Sequence, residues 1–352
     1  MSMHPERWEN GSDFHWPGLP TPGAVQAVPW SSGVLVSSGR DALRLALDIG
    51  VRKRGWRRLW VPEYYCQHVA AALVRPDLEL LTYLDHPLRR APDLPDASPG
   101  DAVLVVNYFG LRDVVRIPRR EGVEIIEDHS HDPSSHWAAT SAADFCVASL
   151  RKTLPLSDGG VLWSPLGHAL PPAPLLTPQR ARIAATKLAA MILKAMYLDG
   201  HPVDKATYRA LALRGEKGLA VPSVSAISDV ARGLLGSFPV GSWRRARAVN
   251  HALLVSLLAQ LAWARVLMPA DSTCVPFSCV LVLDSAERRE RVRLRLIQER
   301  VYPAVLWPLD RTILPVGPTA RELSRTMLSI HCDGRYGPQD IDRVAEIVNR
   351  AC

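Results

Sequence analysis

The chain has 352 residues, 47% of them apolar, with mean hydropathy near zero. That length exceeds one ordinary domain, so we expect one large and one smaller domain around a sizeable core. The formal charge is +7, but the basic clusters (Arg52-Lys53-Arg54, Arg57-Arg58, Arg119-Arg120 and Arg244-Arg245) are scattered along the chain. A nucleic-acid surface gathers such residues on one element with aromatics between them. Nucleic acid is therefore not an expected partner, whereas an anionic substrate or phosphate group fits the charge.

In chain order, residues 1–30 are rich in Pro, Gly and Trp and lack periodicity. They read as an extended N-terminal arm that packs on a neighbour, stiffened by Pro17, Pro20 and Pro22. Val34–Val36 reads as a strand and Asp41–Ile49 as a helix, followed by a strand at Leu59–Val61 and a helix at Gln67–Val74. Further short apolar runs follow at Leu78–Leu84, Ala102–Asn107, Val123–Glu127 and Phe145–Ser149. This alternation predicts a mostly parallel α/β sheet. Helical patterns dominate from Pro178 to Met268. The last third adds a run at Val275–Leu283 and helices near Ala286–Glu299 and Pro338–Arg350.

The most apolar stretches, Ile183–Leu198 and Ala252–Met268, are interrupted by Lys187, Lys194 and Arg265. They read as buried or amphipathic helices, not membrane spans. No basic region followed by an apolar run opens the chain, so the expected location is the cytoplasm. The six cysteines form no CxxC pair and no His cluster has zinc spacing, so neither a structural metal nor a disulfide framework is expected.

In a parallel sheet, ligands sit beyond the carboxyl ends of the strands. In FCVASLRKTLPLSDGGVLWS, residues 145–164, Lys152 follows such a strand end. A lysine buried there loses hydration, its pKa falls, and its neutral amine can form a Schiff base with an aldehyde. A solvated lysine at a surface turn is the alternative. Ser38-Gly39-Arg40-Asp41 lies between a strand and a helix start, where free N–H groups and the helix dipole favour a phosphate. It also reads as a plain capped turn. In Glu127-Asp128-His129-Ser130-His131-Asp132, a carboxylate can hold a cationic ring nitrogen, or Asp and His can bind a metal, or the segment is a solvated turn. Tyr64-Tyr65-Cys66 brings rings on which a flat ligand could stack.

Taken in order, SGRDAL, VPEYYC, VVNYFG, IIEDHSHD, SLRKTLPLSDGG, VLWPL and DGRYGPQDIDRV resemble the DegT/DnrJ/EryC1/StrS family of pyridoxal-phosphate (PLP) sugar aminotransferases. The resemblance implies the α/β fold of type I PLP-dependent transferases. That fold has a large domain with a mostly parallel central sheet flanked by helices, and a smaller C-terminal α/β domain. We place the arm at 1–30, the large PLP-binding domain at 31–235 and the small domain at 236–352. By matching position, Lys152 is the Schiff-base lysine, Asp128 partners the pyridinium nitrogen and His131 lies beside the ring. Gly39, Arg40 and Asp41 cradle the phosphate through their backbone, with a hydroxyl from Ser149. The stacking position falls on Cys66, where Tyr64 or Tyr65 could substitute.

Two departures stand out. The family serine lies five residues before the lysine and here Ser149 lies three before it. The family's Asn- and Tyr-rich loop is replaced by a Lys- and Ala-rich helical region. The resemblance implies transfer of an amino group from an amino-acid donor to a keto or aldehyde acceptor, such as a nucleotide-linked keto sugar, by a homodimer with shared sites. The alternatives are elimination or racemisation on the same fold, or a non-catalytic regulator.

Overall fold

The computed structural model describes residues 7–18 and 27–351; Pro20, Pro22 and Cys352 lie outside them. The described arm contains a short strand, β1 (Asn10–Gly11). The chain then runs through β2 (Val34–Val36), α1 (Gly39–Arg54), β3 (Arg58–Pro62), α2 (Gln67–Leu73), β4 (Glu79–Tyr83), β5 (Asp101–Val106) and β6 (Glu124–Asp128). A single-turn α3 (His136–Thr140) precedes β7 (Phe145–Ala148) and β8 (Gly160–Trp163). Four helices follow: α4 (Pro178–Leu198), α5 (Lys205–Ala220), α6 (Asp229–Ser237) and α7 (Val240–Leu257). The last part comprises β9 (Ala264–Val266), β10 (Cys279–Leu283), α8 (Ala286–Gln298), β11 (Val301–Tyr302), α9 (Pro318–Thr326), β12 (Met327–Ile330) and α10 (Pro338–Asn349).

The central sheet has seven strands in the order β2-β8-β7-β6-β5-β3-β4. The pairs from β4 through to β7 are parallel, and β8 runs antiparallel to both β7 and β2. Strands β5, β7 and β8 are buried along their whole length. Covered on both faces, they read as continuous apolar runs and not as alternating ones. Because β8 inverts direction twice, β2 points the same way as β3, β5, β6 and β7. The residues that follow these five strands consequently gather on one edge of the sheet.

Local chemistry fixes the elements at this edge. The Ser38 hydroxyl caps α1 by accepting from the Asp41 N–H (3.2 Å), Arg52, Lys53 and Arg54 occupy its last turn, and Gly55 closes it at φ 76°. That placement suits the helix dipole and the left-handed stop. Gly160 lets β8 approach the start of α1: a Cβ there would lie 2.3 Å from the Ser38 carbonyl carbon and 2.5 Å from the Gly39 nitrogen. Asp158 accepts from the Ser228 N–H (2.9 Å) and hydroxyl (2.6 Å), tying the turn after Lys152 to the start of α6.

The smaller part holds the antiparallel sheet β12-β10-β9 with α7, α8 and α10 around a core that includes Leu254, Leu281, Leu296, Ile330 and Val344. Strand β9 lies within the stretch Pro178–Met268, where helical patterns were expected to dominate. Trp307, Leu309, Leu323 and Met327 join the core of the large sheet instead, so segments from both sides of residue 236 share one core.

Of the N-terminal arm, residues 7–18 and 27–30 are described. Its described part docks on its own chain, with β1 pairing in parallel with β11, Trp8 buried in the small core, and the Trp8 Nε1–H donating to Asp340 (2.7 Å). A ring that large gains more from a preformed apolar pocket than from solvent, which holds the arm in cis. Among the described residues no helix is long and apolar enough to cross a membrane.

Candidate active site

Lys152 sits in a 3-10 turn just beyond β7, at the carboxyl edge of the sheet. Its Nζ lies 3.4 Å from His131 Nε2 and 5.5 Å from the centre of the Trp307 ring. Burial lowers its pKa, and the charges of Arg151 and Arg40 push in the same direction. Burial, followed by the charge of Lys152, holds His131 well below the usual histidine range, so its ring is neutral. His131 Nδ1 accepts the Phe109 N–H at 3.1 Å, and a backbone N–H can only donate. The ring proton therefore resides on Nε2, facing Lys152, and an N–H meets the lone pair of a neutral amine more favourably than an ammonium. Both groups are thus set for an uncharged lysine. Phe109 holds this donor in place with φ 55°, a left-handed conformation in a non-glycine residue.

Asp128, at the end of β6, accepts from the Ser130 N–H through Oδ1 (2.9 Å) and from the Tyr65 hydroxyl through Oδ2 (3.0 Å). Burial and the neighbouring carboxylate raise the Tyr65 pKa far above normal, so the phenol stays a donor. Asp128, Lys152, Tyr65, Cys66, Ser149, Gly39 and Arg40 all border one cavity of about 390 Å³. Gly39 packs so closely on Ser149 that a Cβ would come within 2.9 Å of the serine Cβ. The first N–H groups of a helix have no partner within it, so those of Gly39 and Arg40 are available at this end of the cavity. Arg40 makes no ion pair among the described residues, and its pKa is lowered by burial and by Arg151.

Two expected residues lie elsewhere. The Asp41 N–H is taken by Ser38, and its fully buried carboxylate accepts from Ser37 (2.5 Å), Arg44 (3.1 Å) and Arg180 (3.3 Å). Asp41 therefore braces α1 from behind. Tyr64 is buried with its hydroxyl on the Leu306 carbonyl and its ring edge-on to Tyr108; it does not border the cavity.

Trp307 does border it, and its ring lies nearly parallel to His131 (23°, centroids 5.6 Å apart). Sequence reasoning quoted its segment, VLWPL, without assigning it a role. Its aromatic character was the available signal, but 155 residues separate it from Lys152.

Asn107, at the end of β5, is buried and leaves both side-chain polar atoms without a partner among the described residues. On the opposite face of the sheet, Glu127, His129 and Cys146 bring potential metal-ligand atoms within 4.8 Å of one another. There the Glu127 carboxylate already accepts from His129 (2.9 Å), Trp137 (3.0 Å) and Ser141 (2.7 Å), and burial pushes the Cys146 thiol far up. A protonated thiol and a saturated carboxylate form a hydrogen-bonded brace and a poor ligand set.

No family model and no curated protein matches the chain. Solved structures do. The aminotransferase TlmJ from Streptoalloteichus hindustanus is 17% identical, with a TM-score of 0.61 over 91% of this chain and 85% of that one. DesV from S. venezuelae, solved in complex with a ketimine intermediate, is 20% identical with a TM-score of 0.59 over 90% and 83%. Spr1654 from Streptococcus pneumoniae, in its PLP-form, is 12% identical with a TM-score of 0.63 over 96% and 94%. The chain has the fold of these proteins, in agreement with the α/β class expected from sequence.

Proposed function

We propose that this protein is a PLP-dependent aminotransferase that moves an amino group from an amino-acid donor to a keto or aldehyde acceptor. The observation that carries this reading is a buried lysine with a lowered pKa at the carboxyl edge of a parallel sheet, between a pinned carboxylate and a free helix N-terminus. The residues present fit the cofactor. Asp128 would hold its ring nitrogen protonated, and Tyr65 and Ser130 fix the orientation of that carboxylate. The N–H groups of Gly39 and Arg40, the Ser149 hydroxyl and the Arg40 guanidinium would hold its phosphate. Trp307 and His131 offer flat walls. Cys66 contributes only a small side chain, and Tyr65, tied to Asp128, orients and does not stack.

When bound, PLP supplies an electron sink for the negative charge that develops at the carbon bearing the amine. Lys152 would hold the cofactor through its amine and, when free, would move a proton to and from the donor's α-carbon. His131, neutral and with its N–H on Nε2, would hold the amine of Lys152 in position by accepting no proton from it. The rings of Phe109, Phe277 and Trp307 pack around His131 and fix its position beside Lys152.

We take the active unit to be a cytoplasmic homodimer, which sedimentation at assay concentration would check. The central test is borohydride reduction of PLP-treated protein followed by peptide mass spectrometry. The adduct is expected on Lys152, and an adduct on Lys187, Lys194 or Lys205 would overturn the assignment.

A further inference from the structure

Lys152, Arg151 and Glu216 border not one cavity but two, and form the wall between them. The second cavity, of about 340 Å³, is closed by the chain's own N-terminal segment, α4, α5 and Phe277. With the cofactor on the α1 side, this chamber is where a substrate would meet Lys152.

Its charge is uneven. Glu216 accepts from Arg151 (2.7 Å) and also from Lys187, so two cations share one carboxylate. Lys194 and Lys205 share Glu9 (2.8 and 2.6 Å), and the exposed Asp13 borders the chamber near Lys194, whose Nζ donates to its backbone carbonyl (2.7 Å). Besides Lys152, the chamber itself is bordered by three cations, Arg151, Lys187 and Lys194, against the carboxylates of Glu216 and Asp13, and Arg151 and Lys187 share one of these. The Arg151 Nε is, moreover, buried without a partner. A desolvated surplus cation with an unused donor is stabilised by a single anion. Asp13 on the rim disfavours a second one.

Across the chamber stands His331, 4% exposed, with Nε2 buried and unpartnered. Burial brings its pKa down to about 4, so it is a neutral group there. A neutral imidazole nitrogen suits a hydroxyl, to which it can donate or from which it can accept. The volume lies at the low end of the roughly 300–1,000 Å³ of small-molecule clefts. In the single chain, space of that size suits one substituted ring and leaves little room for a second ring system with a diphosphate.

We infer that this chamber takes a monosaccharide-sized carbonyl acceptor carrying one acidic group and no nucleotide. The anion lies against Arg151 and Lys187, and a hydroxyl meets His331. Only the word acceptor rests on the aminotransferase reading.

The test is calorimetric titration of the PLP-loaded protein with unreactive matched ligands: methyl glucuronoside against methyl glucoside, the same pair in galacto configuration, and UDP-glucose. In at least one configuration the acid should bind about tenfold or more tightly than its neutral partner, and UDP-glucose no more tightly than methyl glucoside. Lys187→Met should erase the preference and Lys187→Arg retain it. His331→Phe should weaken both members of a pair alike. Equal affinities within both pairs, no binding by either acid at millimolar concentration, tighter binding of UDP-glucose than of the acids, or a preference that survives Lys187→Met would each overturn the inference. The visible absorbance of bound PLP on the same samples separates this outcome from failure of the aminotransferase reading.

Discussion

Asp128 and Lys152 are held by opposite means. The carboxylate is surrounded by donors from Tyr65 and Ser130, and the lysine is stripped of water and set beside arginines. Asp128→Asn should retain cofactor through the phosphate and the lysine, yet lose turnover. An ionised pair in a dry site is worth roughly 3–5 kcal/mol, or about two to four powers of ten in rate. Near-normal single-turnover rates in Asp128→Asn would place the ring-nitrogen partner elsewhere. Lys152 carries a second consequence, for stability. Its pKa is lower folded than unfolded, so folding works against its protonated form. That penalty is greatest below the folded pKa, eases as pH rises, and vanishes above the unfolded value of about 10.4. Lys152→Met should therefore raise the melting temperature of the cofactor-free protein by about a few degrees near neutrality, with the advantage shrinking toward pH 10. Identical melting curves for the two proteins at pH 7 would contradict it. Both residues were legible in sequence because each ends an apolar strand run with a group that has no business in a core. Trp307 was not, since an aromatic before a proline reads equally well as core packing, and only the fold brings it to Lys152.

At the scale of elements, the edge that gathers the site depends on one contact, that of β8 against the first turn of α1. Gly160 stands there because Ser38 and Gly39 backbone atoms occupy the space a Cβ would need. Backbone cannot swing aside as a side chain can, so Gly160→Ala should push the α1 N-terminus away. The expected stability loss is about 3 kcal/mol, the upper end of ordinary overpacking, with weaker binding of PLP measured by absorbance titration. If PLP affinity were unchanged, the start of α1 would not be part of the phosphate site. The motif SLRKTLPLSDGG includes the Gly159-Gly160 pair, but neither its contact nor the antiparallel direction of β8 could be read. Strand direction leaves no mark on a four-residue apolar run. The helix expected over Asp41–Ile49 was found, but α1 runs on to Arg54, because its last turn is basic and exposed, not apolar, before Gly55 closes it. Among the elements missed outright, α9 and β12 adjoin one another without a turn signal between them.

At the scale of the whole molecule, alternation of strands and helices made the large sheet legible, whereas the docking of the arm and the shared core across residue 236 depend on contacts between distant segments. Those contacts bury histidines. His251 and His331 are each brought to about 4 by burial, His15 to about 3, and His131 is held well below its usual range. All four are neutral when folded and take up protons near pH 6.5 when unfolded, so the unfolded state binds more protons as pH falls below that point. Their neutrality costs nothing above pH 7, and stability is lost progressively between about pH 6.5 and 4. By pH 5, His251 and His331 alone would each withdraw on the order of 2 kcal/mol, a large share of the roughly 5–15 kcal/mol that holds a protein folded. The carboxylates Glu9, Glu216 and Asp333, lowered to about 2 by their cationic partners against the opposing effect of burial, act in a separate window. Their contribution is intact above pH 4 to 5 and is lost only below it. The urea midpoint should therefore fall already between pH 7 and 5, before the carboxylates titrate, and His251→Leu should flatten part of that slope. A midpoint constant from pH 7 to 5, with loss confined to more acid solution, would mean that these histidines take up protons without opening the fold.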